Sequence, residues 1–231
     1  MQDLTLVFDL DGTLVDTAPD LVAATNHVLE CIGLPPVGEQ SLRPWIGHGA
    51  KKMVERAMGP AAERLTQAQR DALLERYFDY YGRHIAVASR PFEGAVGALE
   101  RFHGAGAKLA VCTNKMERMS KSLLDALDLS RFFVAVAGRD TLAAFKPHPE
   151  HLLGTIRMAG GDCARAVMIG DSAIDVATAK AAQIPVVGVS FGYTDTPVRE
   201  LEPDAVIDHY RELEAAIAAL LGRRSGVEGV R

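Results

Sequence analysis

Leu4-Thr5-Leu6-Val7-Phe8-Asp9-Leu10-Asp11-Gly12-Thr13 opens the chain with a short apolar run that ends abruptly in carboxylates, a glycine and a hydroxyl. A short run without polar alternation is the mark of a strand covered on both faces, and such strands belong to parallel sheets. The same form recurs at 108–112, 133–136, 166–169, 185–189 and, more weakly, 205–207, and helical patterns fill 94–103, 117–127, 149–158, 175–182 and 210–221 between and after them. Strand alternating with helix implies right-handed βαβ units, so the expected fold is α/β, a Rossmann-like doubly wound parallel sheet.

The alternation breaks once. From about Pro19 to Ile85 the chain reads as helix after helix. Pro19 suits the first turn of a helix that ends at Gly33, and Thr66 with Gln69 forms a capping-box pattern ahead of a helix over 68–81. An insertion of this size after the first strand reads as an all-helical cap domain lying over the ligand crevice. The expected division is a core of 1–17 and 87–222, a cap of 18–86, and a frayed, Gly- and Arg-rich tail of 223–231.

Composition narrows the function. The 231 residues carry 30 acidic and 25 basic side chains, a net charge of −5, which argues against a general nucleic-acid or anionic-membrane binder. No apolar run approaches the ~18 residues of a membrane span, and Met1-Gln2-Asp3-Leu4 lacks the basic start of a secretory signal. Cys31, Cys112 and Cys163 are an odd number at no metal-ligand spacing, which points to a reducing cytoplasm, with Cys112 a buried small hydrophobe. Monomer and homodimer both stay open.

Three of the strands end in small polar residues: Asp9 to Thr13, Thr113-Asn114-Lys115, and Gly170-Asp171-Ser172 with Asp175 one helical turn later. In an open parallel sheet those ends share one edge, so distant residues meet there. Asp9, Asp11, Asp171 and Asp175 would repel one another by roughly 4 kcal/mol per pair about 4 Å apart at an effective dielectric near 20. A hard cation such as Mg²⁺ relieves that, aided by Lys146. With Thr113 and backbone N–H groups, they make a receptor for a phosphoryl group. Asp9 is then the candidate nucleophile, and Asp11 the general acid that protonates the leaving alcohol and afterwards deprotonates water. Gly12 allows the sharp turn after the strand.

Each element has a blander reading alone. Asp-Gly-Thr after a strand is a turn signal, Ser172 or Asp171 can simply cap a helix, and a lone lysine is usually a solvated charge. His148 and His151 mimic a metal pair but lack a third ligand and read as structural. The ordered set is what speaks for a site. Asp9-Leu10-Asp11-Gly12-Thr13, Thr113-Asn114, Lys146-Pro147 and Gly170-Asp171 with Asp175 resemble the four motifs of the haloacid dehalogenase superfamily. Over nearly its whole length the chain is similar to the bacterial phosphoglycolate phosphatase family within it, supported by Trp45-Ile46-Gly47-His48-Gly49-Ala50 and Gly188-Val189-Ser190-Phe191-Gly192-Tyr193. The resemblance implies Mg²⁺ held by Asp9, the backbone carbonyl of Asp11 and Asp171, with Asp175 supporting the metal or its waters, and phosphate contacts from Thr113, Asn114 and Lys146. It implies hydrolysis of 2-phosphoglycolate to glycolate and phosphate. The alternatives are another small phosphate ester (a sugar phosphate or pyrophosphate), a sugar-phosphate mutase on the same core, and a receiver-like phosphoacceptor module.

Two positions depart from the family. Phe145 stands where many relatives carry a basic residue, beside the motif lysine and with little consequence expected. His48 replaces a common Asn in the cap and bears on substrate identity. Around it, Gly47, Gly49 and Ala50 open a helix over 50–58 whose N–H groups, with Lys51 and Lys52, could receive the carboxylate of a small phosphorylated acid. Arg43 is the other candidate for that part.

Overall fold

The computed structural model describes residues 3–194 and 196–228. Its strands are β1 (Thr5–Phe8), β2 (Val15–Asp16), β3 (Arg90–Pro91), β4 (Lys108–Cys112), β5 (Phe133–Ala137), β6 (Ala166–Gly170), β7 (Val186–Val189) and β8 (Ala205–Ile207). The helices are α1 (Ala18–Cys31), α2 (Glu39–Leu42), α3 (Ala50–Met58), α4 (Gln67–Arg83), α5 (Ala95–Gly104), α6 (Glu117–Ala126), α7 (Pro149–Met158), α8 (Ala173–Ala182) and α9 (Leu213–Glu228). Six strands form one parallel sheet in the order β5-β4-β1-β6-β7-β8. With the core strands counted alone this is the doubly wound order, whose reversal at β1 opens a crevice at the carboxyl ends. The β1 register sets Phe8 between Val111 and Ile169, so the residues that follow these strands emerge side by side.

Strand side chains alternate between two buried layers, as a pleat requires. Leu6, Phe8, Leu109, Val111, Val167 and Ile169 join Leu99, Leu123 and Ile217 of α5, α6 and α9 on one face. Val7, Ala110, Met168 and Val186 join Leu152, Ile156 and Val176 of α7 and α8 on the other. Cys112 is fully buried in the second layer, and that burial pushes its thiol up to about 12.

Helices α1 to α4 bury a cluster of their own, including Leu21, Val28, Met53 and Tyr77. Thr66 and Gln69 make the reciprocal capping box at the start of α4. The sequence reading missed the joint between this insert and the sheet. Residues β2 and β3 form a two-stranded antiparallel ribbon, Val15 opposite Pro91 and Asp16 opposite Arg90, too short to leave a periodic signal. A buried residue fastens each side. The Tyr193 hydroxyl accepts from the N–H of Thr17 (2.6 Å) and Ala18 (3.0 Å) and donates to Asp16 Oδ1 (2.6 Å). Asp20 accepts from the N–H groups of Ala88 and Ser89 and from the Ser89 hydroxyl (2.6 Å). Replacing Asp20→Ala strands those donors, so a loss of about 2–4 kcal/mol is expected. Thermal unfolding should show it as a drop of roughly 5–15 °C.

At the C-terminal end the structure corrects the sequence reading. Helix α9 continues to Glu228, past the point at which a frayed tail was expected; residues 229–231 lie outside the described residues. Met1 and Gln2, half of the stretch read for a secretory signal, also lie outside them. Among the described residues no helix is long and apolar enough to cross a membrane.

Candidate active site

Asp9 follows β1 directly, and its N–H donates to Ile169 O at 2.9 Å, continuing the pairing with β6. Its Oδ1 accepts from the Leu10 N–H (2.7 Å) and meets Lys146 Nζ at 2.9 Å, whereas Oδ2 has no hydrogen-bond partner among the described residues. Lys146 is 2% exposed and also reaches Asp175 Oδ1 at 2.6 Å. Asp175 stands at the third position of α8, where its Oδ2 accepts from the N–H and hydroxyl of Ser172 in a capping box. The helix-cap reading of this motif therefore holds, and the capping carboxylate is also the one that meets Lys146. Asp171 is fixed by the Thr13 hydroxyl on Oδ1 (2.9 Å) and the Tyr193 N–H on Oδ2 (2.8 Å). Gly12, at φ 84°, makes this packing possible, because a Cβ there would come within 2.6 Å of Asp171 Oδ2.

Carboxylate oxygens of Asp9, Asp171 and Asp175 lie within 4.8 Å of one another, all buried. Asp11 is near but not in this cluster, a correction to the gathering of four carboxylates read from the sequence. Its side chain turns instead to the Thr17 hydroxyl (2.7 Å) and to Lys115 Nζ (2.9 and 3.1 Å). Burial is the main cause that drives Asp9 up to about 7, against the pull of Lys146 and helped by Asp175. Burial, then Asp175 and Asp9, drive Asp171 up to about 8. Lys146 is held protonated, its pKa raised because Asp175 and Asp9 outweigh its own desolvation. One ammonium among three carboxylates leaves uncompensated negative charge on hard oxygen donors, and a divalent cation such as Mg²⁺ fits that set.

The flanking residues divide between the expected places and others. Thr113 is buried at the end of β4, its N–H bonded to Ala137 O and its Oγ1 accepting from the Lys115 N–H. Asn114 Nδ2 is committed to the carbonyls of Gly47 and Lys146, both at 3.1 Å, so its side-chain amide ties cap to core instead of offering a free donor to phosphate. His148 and His151 are structural, as their spacing suggested. His148 accepts from the Glu150 N–H at the start of α7, and His151 Nδ1 accepts from the Lys146 N–H at 3.1 Å. Burial and the Lys146 charge lower His151 to about 4, so the ring is neutral and Nε2–H donates to Gly138 O. Neither Tyr193 nor the Lys115 contact to Asp11 stood out from the motifs, although both residues lie in or beside them.

A cavity of about 520 Å³ opens between this site and the cap, bounded by Asp11, Asn114 and Lys115 below and Tyr77, Tyr81 and Met53 above. Gly47, His48, Gly49, Ala50 and Lys51 line it. Arg43 does not. It is bound to Glu39 (2.6 Å) and Asp16 (3.3 Å) and lies over the Tyr193 ring at the joint, so it is spent on holding the insert in place.

A doubly wound sheet with a buried aspartate directly after its first strand, a buried lysine and an acidic pair after β6 is the frame of a hydrolase class. The chain belongs to the haloacid dehalogenase-like hydrolase family, whose pattern it matches over residues 6–189. It is 51% identical over 221 residues to a phosphoglycolate phosphatase of Mesorhizobium japonicum, covering 96% of this chain and 97% of that one. It is 47% identical to a phosphoglycolate phosphatase of Caulobacter vibrioides, over 94% and 92% of the two chains. A crystal structure of a predicted phosphoglycolate phosphatase from Haemophilus somnus superposes with a TM-score of 0.86 at 29% identity, covering 93% and 97%. Membership of a hydrolase family decides against the receiver-like alternative.

Proposed function

We propose that the protein is a Mg²⁺-dependent phosphomonoester hydrolase that works through an aspartyl-phosphate on Asp9, with 2-phosphoglycolate as substrate and glycolate and phosphate as products. The observation that carries the chemistry is the asymmetry at Asp9. One oxygen is pinned by Lys146 and the Leu10 N–H while the other is free to attack. Asp9 Oδ2 forms the bond to phosphorus as the ester P–O bond breaks, and the leaving oxygen takes a proton from Asp11. The Asp11 carboxylate then takes a proton from water, whose oxygen bonds to phosphorus as the Asp9–phosphorus bond breaks. Lys146 and Thr113 face the phosphoryl oxygens, and His151 holds the Lys146 backbone in place. Asp9, Asp171 and Asp175, with the carbonyl of Asp11, would hold the cation. When bound, it supplies positive charge against the phosphoryl oxygens and keeps the carboxylates ionised.

The substrate follows from the names of the relatives and from a cavity whose cap side offers the N-terminus of α3 and Lys51 to a second anionic group. The partner is then a small phosphorylated carboxylic acid, handled in the cytoplasm. The test is phosphate release with Mg²⁺ across 2-phosphoglycolate, sugar phosphates, nucleotides and pyrophosphate. 2-Phosphoglycolate should show the highest kcat/KM, by about tenfold or more. A sugar phosphate in first place, or a need for a bisphosphate primer with little free phosphate, would replace this reading by the phosphatase or mutase alternative.

A further inference from the structure

Arg139 follows β5 on a core loop and was not among the residues the motifs singled out. Its side chain lines the cavity above Asp11. Gly138 lets this loop abut the Lys115 loop, since a Cβ there would meet the Glu117 backbone at 2.3 Å, and the Arg139 N–H donates to Lys115 O at 2.9 Å. The guanidinium lies 3.7 Å from the centroid of the Phe145 ring, and its Nη1 is 3.4 Å from where a Cβ at Gly49 would stand. It therefore sits against the start of α3, so that two sources of positive potential converge from opposite walls.

The other cations near the site are committed or solvated. Lys146 serves Asp9 and Asp175, Lys115 serves Asp11, and Arg43 serves Glu39 and Asp16. Lys51 and Lys52 line the cavity but are exposed. Arg139 pairs with no carboxylate among the described residues, and stacking on Phe145 holds its planar fork in one orientation. Two buried polar atoms of cavity-lining residues, Tyr81 Oη and Asn114 Oδ1, have no hydrogen-bond partner among the described residues; Tyr81 is 2% exposed and Asn114 6%. A pocket with an unpaired guanidinium, a helix start and unsatisfied polar atoms is built for a polar, anionic ligand.

We propose that Arg139, positioned by Phe145, is the residue that reads the carboxylate of the substrate, at the end remote from the phosphoryl group. This rests on the assignment of a phosphorylated acid as substrate, and it moves recognition from the cap lysine to a core arginine. It also gives Phe145 a purpose that a basic residue at that position would not serve, since a second cation would repel the guanidinium instead of carrying it.

The test compares 2-phosphoglycolate with ethyl phosphate, which keeps the phosphoryl group and lacks the carboxylate. Arg139→Met should raise KM for 2-phosphoglycolate by about 10- to 100-fold with kcat little changed, and leave ethyl phosphate within about twofold. Arg139→Lys, which keeps the charge but not the fork, should fall between, and Phe145→Ala should move KM in the same direction by about two- to fivefold. Unchanged melting temperatures show that the variants are folded. Equal effects on both esters, or a carboxylate-selective KM effect in Lys51→Met and not in Arg139→Met, would overturn the assignment while leaving the substrate reading intact. A wild-type enzyme that cleaves ethyl phosphate as well as 2-phosphoglycolate would remove the substrate reading itself, and this assignment with it.

Discussion

Asp9→Asn is expected to lose more than about a thousandfold in phosphate release while the protein keeps its fold. The amide has the same shape and occupies the same place after β1, and its Oδ1 can still accept from the Leu10 N–H and from Lys146. What it lacks is a lone pair with the negative charge needed to attack phosphorus. Asp9 is buried and has its pKa driven up to about 7 by that burial, so neutralising it removes a desolvation cost, and the melting temperature should not fall. Circular dichroism and a melting curve check the fold, and a phosphate assay reads the loss. Activity within tenfold of wild type would place the nucleophile on another residue. Asp11→Asn makes a companion test: its carboxylate is not in the acidic cluster, so the variant should bind substrate with KM little changed and lose about a hundredfold or more in kcat, because neither the leaving oxygen nor the attacking water then has its proton partner.

The contrast between these two aspartates shows how far a sequence can be read. That both sit at the carboxyl end of the first strand was legible, because Leu6-Val7-Phe8 has the apolar form of a buried strand and Asp-Gly-Thr the form of a turn. The helix over 50–58 and the capping box at Thr66 were legible for the same reason, since they depend on neighbours within a few residues. Where each carboxylate points was not. Asp11 turns away because Lys115, from a different strand end, reaches it, and Asp171 is locked by Tyr193 from the loop after β7. Arg43 shows the cost of reading charge without partners: it has the right chemistry to receive an anion and is consumed by Glu39 and Asp16. Short ribbons such as β2 and β3 carry too few residues to show a period, and they exist because the insert must leave and rejoin the sheet at one place.

Withdrawing divalent cation should abolish activity and change how stability depends on pH. Three buried carboxylates cluster together, and the lysine beside them contacts only Asp9 and Asp175. Without a cation, Asp9 and Asp171 ionise near 7 and 8, against 3.8 for an ordinary aspartate. A raised carboxyl pKa means that the native state holds more protons than the unfolded chain between about pH 4 and 8, so the slope of stability with pH is negative across that window. In chelator, the melting temperature should fall as pH rises from 5 to 8.5. Mg²⁺ competes with those protons, so its benefit grows over the same range. At about a hundred times its dissociation constant it adds about 2.7 kcal/mol, or roughly 5–10 °C for a chain of this length. Differential scanning fluorimetry at several pH values, with and without Mg²⁺, gives the result directly. Asp171→Asn should partly flatten the chelator curve and blunt the response to Mg²⁺ together, because the same carboxylate contributes to both. A melting temperature indifferent to Mg²⁺ at pH 8, with phosphate release undiminished in chelator, would show that the acidic cluster is neutralised by protons and Lys146 alone and that catalysis proceeds without a divalent ion.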